Sequence, residues 1–341
     1  SNFHFMVGDE QFFSMTAEKS DIVSTMSVDG SIDNEMLYEN FRMQEWLDPR
    51  LDSLYKRKSD TSLPKATIAA TEVEIDKLNG MRKEQLLRNQ RQHPNALYTK
   101  FKTAGQNPEP VDVRKPNGEV DRELQLEYFR QAFWDNVDFT DERLLRTPVV
   151  ANKLKRFIMD LTPQHPDSII RQVDFVISKA MANKEMFKFV SNWIAIKFQP
   201  TQTKVMDGEA VFVHVLENYF DTKEKAYWAS DKELAEFKKK VLEMKASLLN
   251  RQGPDVVSTD FYGMQRSIYE LKEEFVVIFM YDPDCDHCQK ETPLLKEFYK
   301  KWKSKGVEIF AIVLNSTDEE WRNFVNRYGT NEWINVHDPT N

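Results

Sequence analysis

Phe275-Val276-Val277-Ile278-Phe279-Met280-Tyr281 runs through Asp282-Pro283-Asp284 into Cys285-Asp286-His287-Cys288. The reading of this stretch decides the fold of the C-terminal part. An unbroken apolar run of β-branched and aromatic residues predicts a strand. A helix-like stretch follows, with Pro293 inside it. The two cysteines are the only ones in the chain. A Cys-x-x-Cys at a strand-to-helix corner is the arrangement of a redox dithiol. Cys285 then lies at the positive end of a helix, where its thiolate is stabilised and can attack disulfides. Cys288, one turn along and more buried, resolves the mixed disulfide.

Outward from this corner, Gly253-Pro254 marks a boundary. Beyond it come a short β lead-in, strand 275–281, helix 285–303, strand 307–314 and helix 317–328. Strand–helix–strand implies a right-handed parallel crossover. Both strands are apolar throughout, which predicts cover on both faces. At the corner, a cationic His287 lowers the thiolate pKa, while Asp284 and Asp286 push the other way. These opposed charges leave open whether the pair is oxidising or reducing. Glu291, one turn past Cys288, is a candidate proton relay, and its plainer reading is a solvated helix glutamate. Pro293 kinks the helix. The plainer readings of the dithiol are a structural disulfide or half a zinc site. Strand, spacing and helix together favour redox chemistry.

Residues 31–252 read as helical. Asp33 can cap a long helix carrying Leu37, Phe41, Leu47, Leu51 and Leu54. Thr71–Gln92 gives a second long, charged helix. Helical stripes follow: Ile169, Ile170, Val173, Val176, Ile177 and Ala180; Phe187, Val190, Ile194 and Phe198; Val211, Phe212, Val215, Leu216 and Tyr219. Ser230 and Glu233 form a capping-box pattern. Residues 1–30 read as β: Phe3, Phe5 and Val7 alternate, Phe13 and Met15 resume, and Ile22 to Val28 adds a strand. So few strands cannot bury a sheet face alone.

The chain has 341 residues, 40% of them hydrophobic, enough for two or three cores. Net charge is −8, with basic and acidic residues interleaved, which argues against nucleic-acid binding. No apolar run is long enough to cross a bilayer. The ten glycines never fall at G-x-G spacing, which excludes the Rossmann fingerprint and the P-loop. There is no H-E-x-x-H and no second Cys-x-x-Cys, so no metal or organic cofactor is implied. His214, between Val213 and Val215, reads as a core or boundary residue. The tryptophans at 46, 134, 193 and 228 read as core.

From Pro254-Asp255 through Asp260, Gly263, Ser267 and Leu271 to Cys285-Asp286-His287-Cys288-Gln289-Lys290-Glu291-Thr292-Pro293, the chain resembles the thioredoxin-like TlpA/ResA family of bacterial extracytoplasmic thiol–disulfide oxidoreductases. The resemblance implies that the glutamate matching Glu291 sits near the sulfurs and assists exchange. Asp284 departs from the family, which has Trp before the first cysteine. This variant resembles a subgroup found in membrane-anchored or periplasmic proteins of Gram-negative gut-type bacteria. In the family a cis-proline strand, a β-hairpin partner and a last helix follow. Pro339 comes too early to be that proline, so the thioredoxin-like part reads as incomplete at its C-terminus. Asn136–Pro148 and His165–Ile170 resemble the helical domain of unknown function that precedes the thioredoxin-like domain in that subgroup. The plainer reading of Asp138–Pro148 is a capped helix start with Arg143 and Arg146 in structural salt bridges. Residues 1–30 resemble the last strands of a β-sandwich that follows a lipoprotein signal.

The expected fold is α+β and multidomain. It comprises a β remnant (1–30), a helical domain (31–252) and a truncated thioredoxin-like α/β domain (253–341). The expected function is an extracytoplasmic thiol–disulfide oxidoreductase with a redox-active disulfide, acting on protein thiols and disulfides. Cys285 would attack, Cys288 resolve and Glu291 move protons, with His287 and Pro293 in support. Electrons would come from a membrane-embedded dithiol. The expected location is periplasmic or cell-envelope, lipid-anchored in the full-length protein. The competing reading is a binding or scaffold module: the helical domain captures a partner and the thioredoxin-like part is a redox sensor or spectator. Peroxide reduction by Cys285 is disfavoured, because the Pro-x-x-x-Thr-x-x-Cys pattern is missing.

Overall fold

The computed structural model describes residues 3–337; Pro339 lies outside the described residues. The chain divides into two compact units, Ser1–Lys245 and Ala246–Asn341.

In the first unit the elements are β1 (Ser14–Thr16), α1 (Ile22–Thr25), β2 (Ser27–Asp29), α2 (Ile32–Ser59), α3 (Lys65–Gln92), α4 (Leu97–Ala104) and α5 (Arg122–Ala132). Then come α6 (Val149–Lys155), α7 (Pro166–Ala180), α8 (Lys184–Lys197), α9 (Glu209–Tyr219) and α10 (Asp231–Lys245). The β reading of the first 30 residues is corrected in part. β1 and β2 pair antiparallel, Met15 opposite Val28. Ile22–Thr25 is a helical turn, because the Asp21 side chain accepts the Ser24 N–H and caps it. Among the described residues the segment before β1 joins no ladder. Asn34 holds it in place, accepting the Met6 N–H at 2.7 Å and donating to the Met6 carbonyl at 2.9 Å.

Ser31, not Asp33, caps α2. Asp33 is buried and serves α4 instead, its Oδ1 accepting the Tyr98 N–H at 2.7 Å. Burial nonetheless raises the Asp33 pKa. Leu47, Leu51 and Leu54 of α2 pack on Ile75 and Leu78 of α3. The helical stripes read from the sequence are core except at Ile170 and Tyr219, which are half-buried. Ile169, Val173, Val176, Ile177, Ala180, Val190 and Ile194 are all fully buried. Ser230 and Glu233 close their capping box, the Ser230 N–H donating to Glu233 at 2.7 Å. Trp134 is core, but Trp46 is exposed and lies under the Arg50 guanidinium. His214 is half-buried and bonds Asp174 at 2.7 Å. At Asp138–Pro148, Arg143 joins Asp141, Asp9 and the Asn95 carbonyl. Arg146 has no ion pair among the described residues, so only one of the two expected salt-bridging arginines is one.

The second unit contains β3 (Val257–Asp260), β4 (Gln265–Ser267), β5 (Phe275–Tyr281), α11 (Asp286–Trp302), β6 (Val307–Val313), α12 (Asp318–Tyr328) and β7 (Ile334–His337). The sheet order is β4-β3-β7-β6-β5. β5, β6 and β7 run parallel, with Tyr281 opposite Val313, and β3 is antiparallel to β7. Gly306, at φ +85°, makes the left-handed turn from α11 into β6, a backbone conformation that residues with a Cβ rarely adopt. Tyr281, Ile309, Ala311 and Val313 pack with Tyr299 of α11 and with Trp321, Phe324 and Val325 of α12.

β6 is an interior strand, between β7 and β5, and Val307, Ile309, Phe310, Ala311 and Val313 are buried. Among the described residues β5 is covered on one face. It ends the sheet order, and Ile278 and Met280 are 52% and 59% exposed. Its alternate residues Val277, Phe279 and Tyr281 face the α11/α12 core.

Candidate active site

β5 delivers the dithiol. The Leu314 N–H donates to the Tyr281 carbonyl at 2.8 Å, so pairing with the β6 side continues to the last strand residue. The chain then turns. The Asp284 N–H donates to Asp282 Oδ1 at 2.9 Å, and the Cys285 N–H to the Asp282 carbonyl at 3.1 Å. An Asx turn followed by a backbone turn is what Asp-Pro-Asp favours. It leaves Cys285 as the N-cap of α11, with φ −79° and ψ 118°.

Cys285 Sγ accepts the Cys288 N–H at 3.5 Å, a sulfur in the place usually held by a capping oxygen. The Cys285 pKa is lowered, first by a hydrogen bond from the Cys288 side chain, then by the Cys288 and His287 backbone N–H groups. Burial and the Asp282 charge oppose this. The Cys288 pKa is raised, chiefly by burial, and this thiol packs against the α11/α12 core. The two sulfurs are therefore unequal, one favouring thiolate and the other thiol. Both are free cysteines.

The structure places the other expected residues differently. His287 is exposed, and it reaches Cys285 through its backbone N–H. Glu291 is exposed and makes no hydrogen bond or ion pair among the described residues. Its position one turn past Cys288 does not by itself bring it to the sulfurs. Pro293 is exposed inside α11, which continues through it. The Thr292 hydroxyl, next to it, donates to the Cys288 carbonyl at 2.7 Å.

The sequence reading weighed Asp284 and Asp286 and missed Asp282. The carboxylate whose charge acts on both sulfurs is that of Asp282. Its signal was present, since it is the first acidic residue after the strand. Asn315 Nδ2 donates to Asp282 Oδ2 at 3.3 Å from the loop after β6. His337 bonds the Ser316 carbonyl in that loop at 2.9 Å and lies against Trp321. Among the described residues no group of three His, Cys, Asp or Glu is placed to hold a metal ion, and no helix is long and apolar enough to cross a membrane.

Comparison with known proteins agrees with this geometry. Residues 249–341 match the AhpC/TSA family, and residues 81–247 match a domain of unknown function, DUF5106. The chain is 38% identical over 81 residues to the thiol-disulfide oxidoreductase ResA of Bacillus thuringiensis (strain Al Hakam), covering 24% of this chain and 47% of that protein. With ResA of Bacillus subtilis (strain 168) it is 33% identical over 78 residues, 23% of this chain and 44% of that protein. The chain thus spans about half the length of the curated relatives it matches. A thioredoxin-like protein from Bacteroides caccae has a similar fold, with a TM-score of 0.51 at 18% identity over 69% of this chain and 84% of that one. By these matches the chain joins a DUF5106 domain to a thioredoxin-like AhpC/TSA domain, and the second domain is a homologue of the ResA thiol-disulfide oxidoreductases.

Proposed function

We propose that the chain exchanges thiols and disulfides with protein substrates through Cys285 and Cys288. The observation that carries this is the inequality of the two sulfurs at the N-terminus of α11. Cys285 is stabilised as thiolate by the Cys288 thiol and by the Cys288 and His287 N–H groups, and Cys288 is kept as thiol by burial. The Cys285 thiolate attacks a substrate disulfide, forming a mixed disulfide and releasing one substrate thiolate. Cys288 then loses its proton and attacks Cys285 Sγ. The second substrate thiolate leaves, and the Cys285–Cys288 disulfide forms. Two electrons pass to the substrate, whose thiolates take up two protons.

In this reading Glu291 carries protons between solvent and the thiols, and the His287 backbone N–H supports the Cys285 thiolate. Re-reduction takes two electrons from a partner dithiol, which we place in the membrane. The location we propose is the periplasm or cell envelope, with lipid anchoring of the full-length protein. The resemblance to ResA supports this reading, and the Asp282–Cys288 segment supplies its chemistry.

The test is reduction of insulin disulfides by the dithiothreitol-charged chain, followed by turbidity. The parent is expected to accelerate the reaction. Glu291→Gln is expected to slow it by about tenfold, below the usual range for a fixed acid–base group because the side chain is exposed. An unchanged Glu291→Gln rate would remove Glu291 from the mechanism.

A further inference from the structure

Asp282 stands at the end of β5 as a carboxylate with no cation on it: among the described residues it makes no ion pair. Both of its oxygens are held. Oδ1 accepts the Asp284 N–H at 2.9 Å, and Oδ2 accepts the Asn315 side-chain amide at 3.3 Å. Asn315 reaches it from a left-handed backbone, φ +51°, a conformation that non-glycine residues adopt rarely and asparagine tolerates best. Such conformations concentrate at functional sites. The loop that presents Asn315 is itself held by the His337–Ser316 bond. Two separate segments thus fix one carboxylate at the turn whose next residues are the dithiol.

We infer that Asp282 is a positioning residue that biases the Cys285–Cys288 pair toward donating electrons. This rests on the dithiol reading above and supplies the direction of electron flow. The reduced pair gives two electrons to the substrate disulfide and becomes the internal disulfide; of the two protons the substrate thiolates take up, one comes from Cys288 and one from solvent. A thiolate stabilised by its surroundings holds the reduced form and makes a dithiol a poorer donor. The Cys288 thiol and the Cys288 and His287 N–H groups stabilise the Cys285 thiolate, and the Asp282 charge opposes them; at Cys288 the same charge acts against a larger, opposite effect of the Asp282 backbone. The other charged groups on this turn are Asp284, Asp286 and His287, all exposed. From α12, Glu320 also feels the Asp282 charge, but it is occupied by the Thr317 N–H and hydroxyl at 2.9 and 2.8 Å. Asp282 is thus the pinned, uncompensated carboxylate of the site.

The test uses the whole chain and two readouts: glutathione equilibrium at about pH 8, and the pH profile of iodoacetamide alkylation at Cys285. Asp282→Asn keeps an oxygen for the Asp284 N–H. It is expected to move the equilibrium up to about tenfold toward the dithiol, or about 30 mV toward a weaker reductant. The alkylation midpoint should move to lower pH, as expected when a like charge leaves a thiolate. Asp282→Glu is expected to stay near the parent. If Asp282→Asn does not fold, Asp282→Ser, which keeps a turn acceptor, carries the same expectation. A parent that titrates reversibly beside a folded Asp282→Asn or Asp282→Ser with unchanged equilibrium and profile overturns the inference alone. A parent with no reversible dithiol overturns it together with the proposed function.

Discussion

Cys285→Ser is expected to reduce insulin-disulfide reduction by on the order of 10³-fold or more, to the rate of dithiothreitol alone. The reason is chemical rather than structural. A serine hydroxyl at neutral pH is a poor nucleophile, and among the described residues no imidazole or carboxylate hydrogen-bonds the Cys285 side chain. Its environment lowers a thiol pKa through the Cys288 hydrogen bonds and the His287 N–H, and a hydroxyl titrates far too high for these to matter. The fold should not suffer. Cys285 is the N-cap of α11, and a serine oxygen is a better cap than sulfur. Loss of activity with unchanged or slightly raised thermal stability is therefore the expected signature. Near-parent activity in folded Cys285→Ser would remove Cys285 as the attacking group.

Phe157→Ala is expected to destabilise the first unit by about 3–5 kcal/mol. Phe157 is fully buried in the turn that follows α6. Its ring stacks on Phe133 at 5.5 Å and 16°, meets Trp134 edge-on at 5.4 Å and lies 6.2 Å from Phe175. Phe133 and Trp134 follow α5, and Phe175 belongs to α7, so one side chain ties three segments of the helical unit together. The cavity cannot collapse easily, because its walls are large rings held from different helices. Thermal unfolding of the full chain should show the transition of this unit lowered by roughly 6–20 °C. A shift of only a degree or two would mean that the cluster repacks.

Much of this architecture was legible because apolar period and turn chemistry pointed the same way. Ile169 to Ala180 recur at helical spacing and are buried, and the strand at 275–281 is the strand observed. The cysteine spacing carried the site, since only a strand-to-helix corner makes Cys285 a helix cap. What was not legible depended on contacts distant in sequence. Asp33 looked like the cap of its own helix, but it caps α4 through Tyr98, a partner no local pattern indicates. The strand expected through Ile22–Val28 was interrupted by a local aspartate cap on Ser24. Asp282 escaped notice because its second partner, Asn315, lies on the far side of α11 and β6 in the chain. The role of Glu291 is a proposal, because one helical turn of separation fixes a face and not a contact.

The most direct measurement is the redox titration of the Cys285–Cys288 pair in the full chain. Samples would be equilibrated over a series of glutathione ratios, quenched with acid and counted for free thiols by mass. A single reversible transition in which two thiols appear together is the expected result, with its midpoint toward the reducing end of the dithiol range, about −270 mV rather than −120 mV. Two cysteines that stay reduced, or titrate one at a time, across the whole series would contradict a working dithiol at this corner.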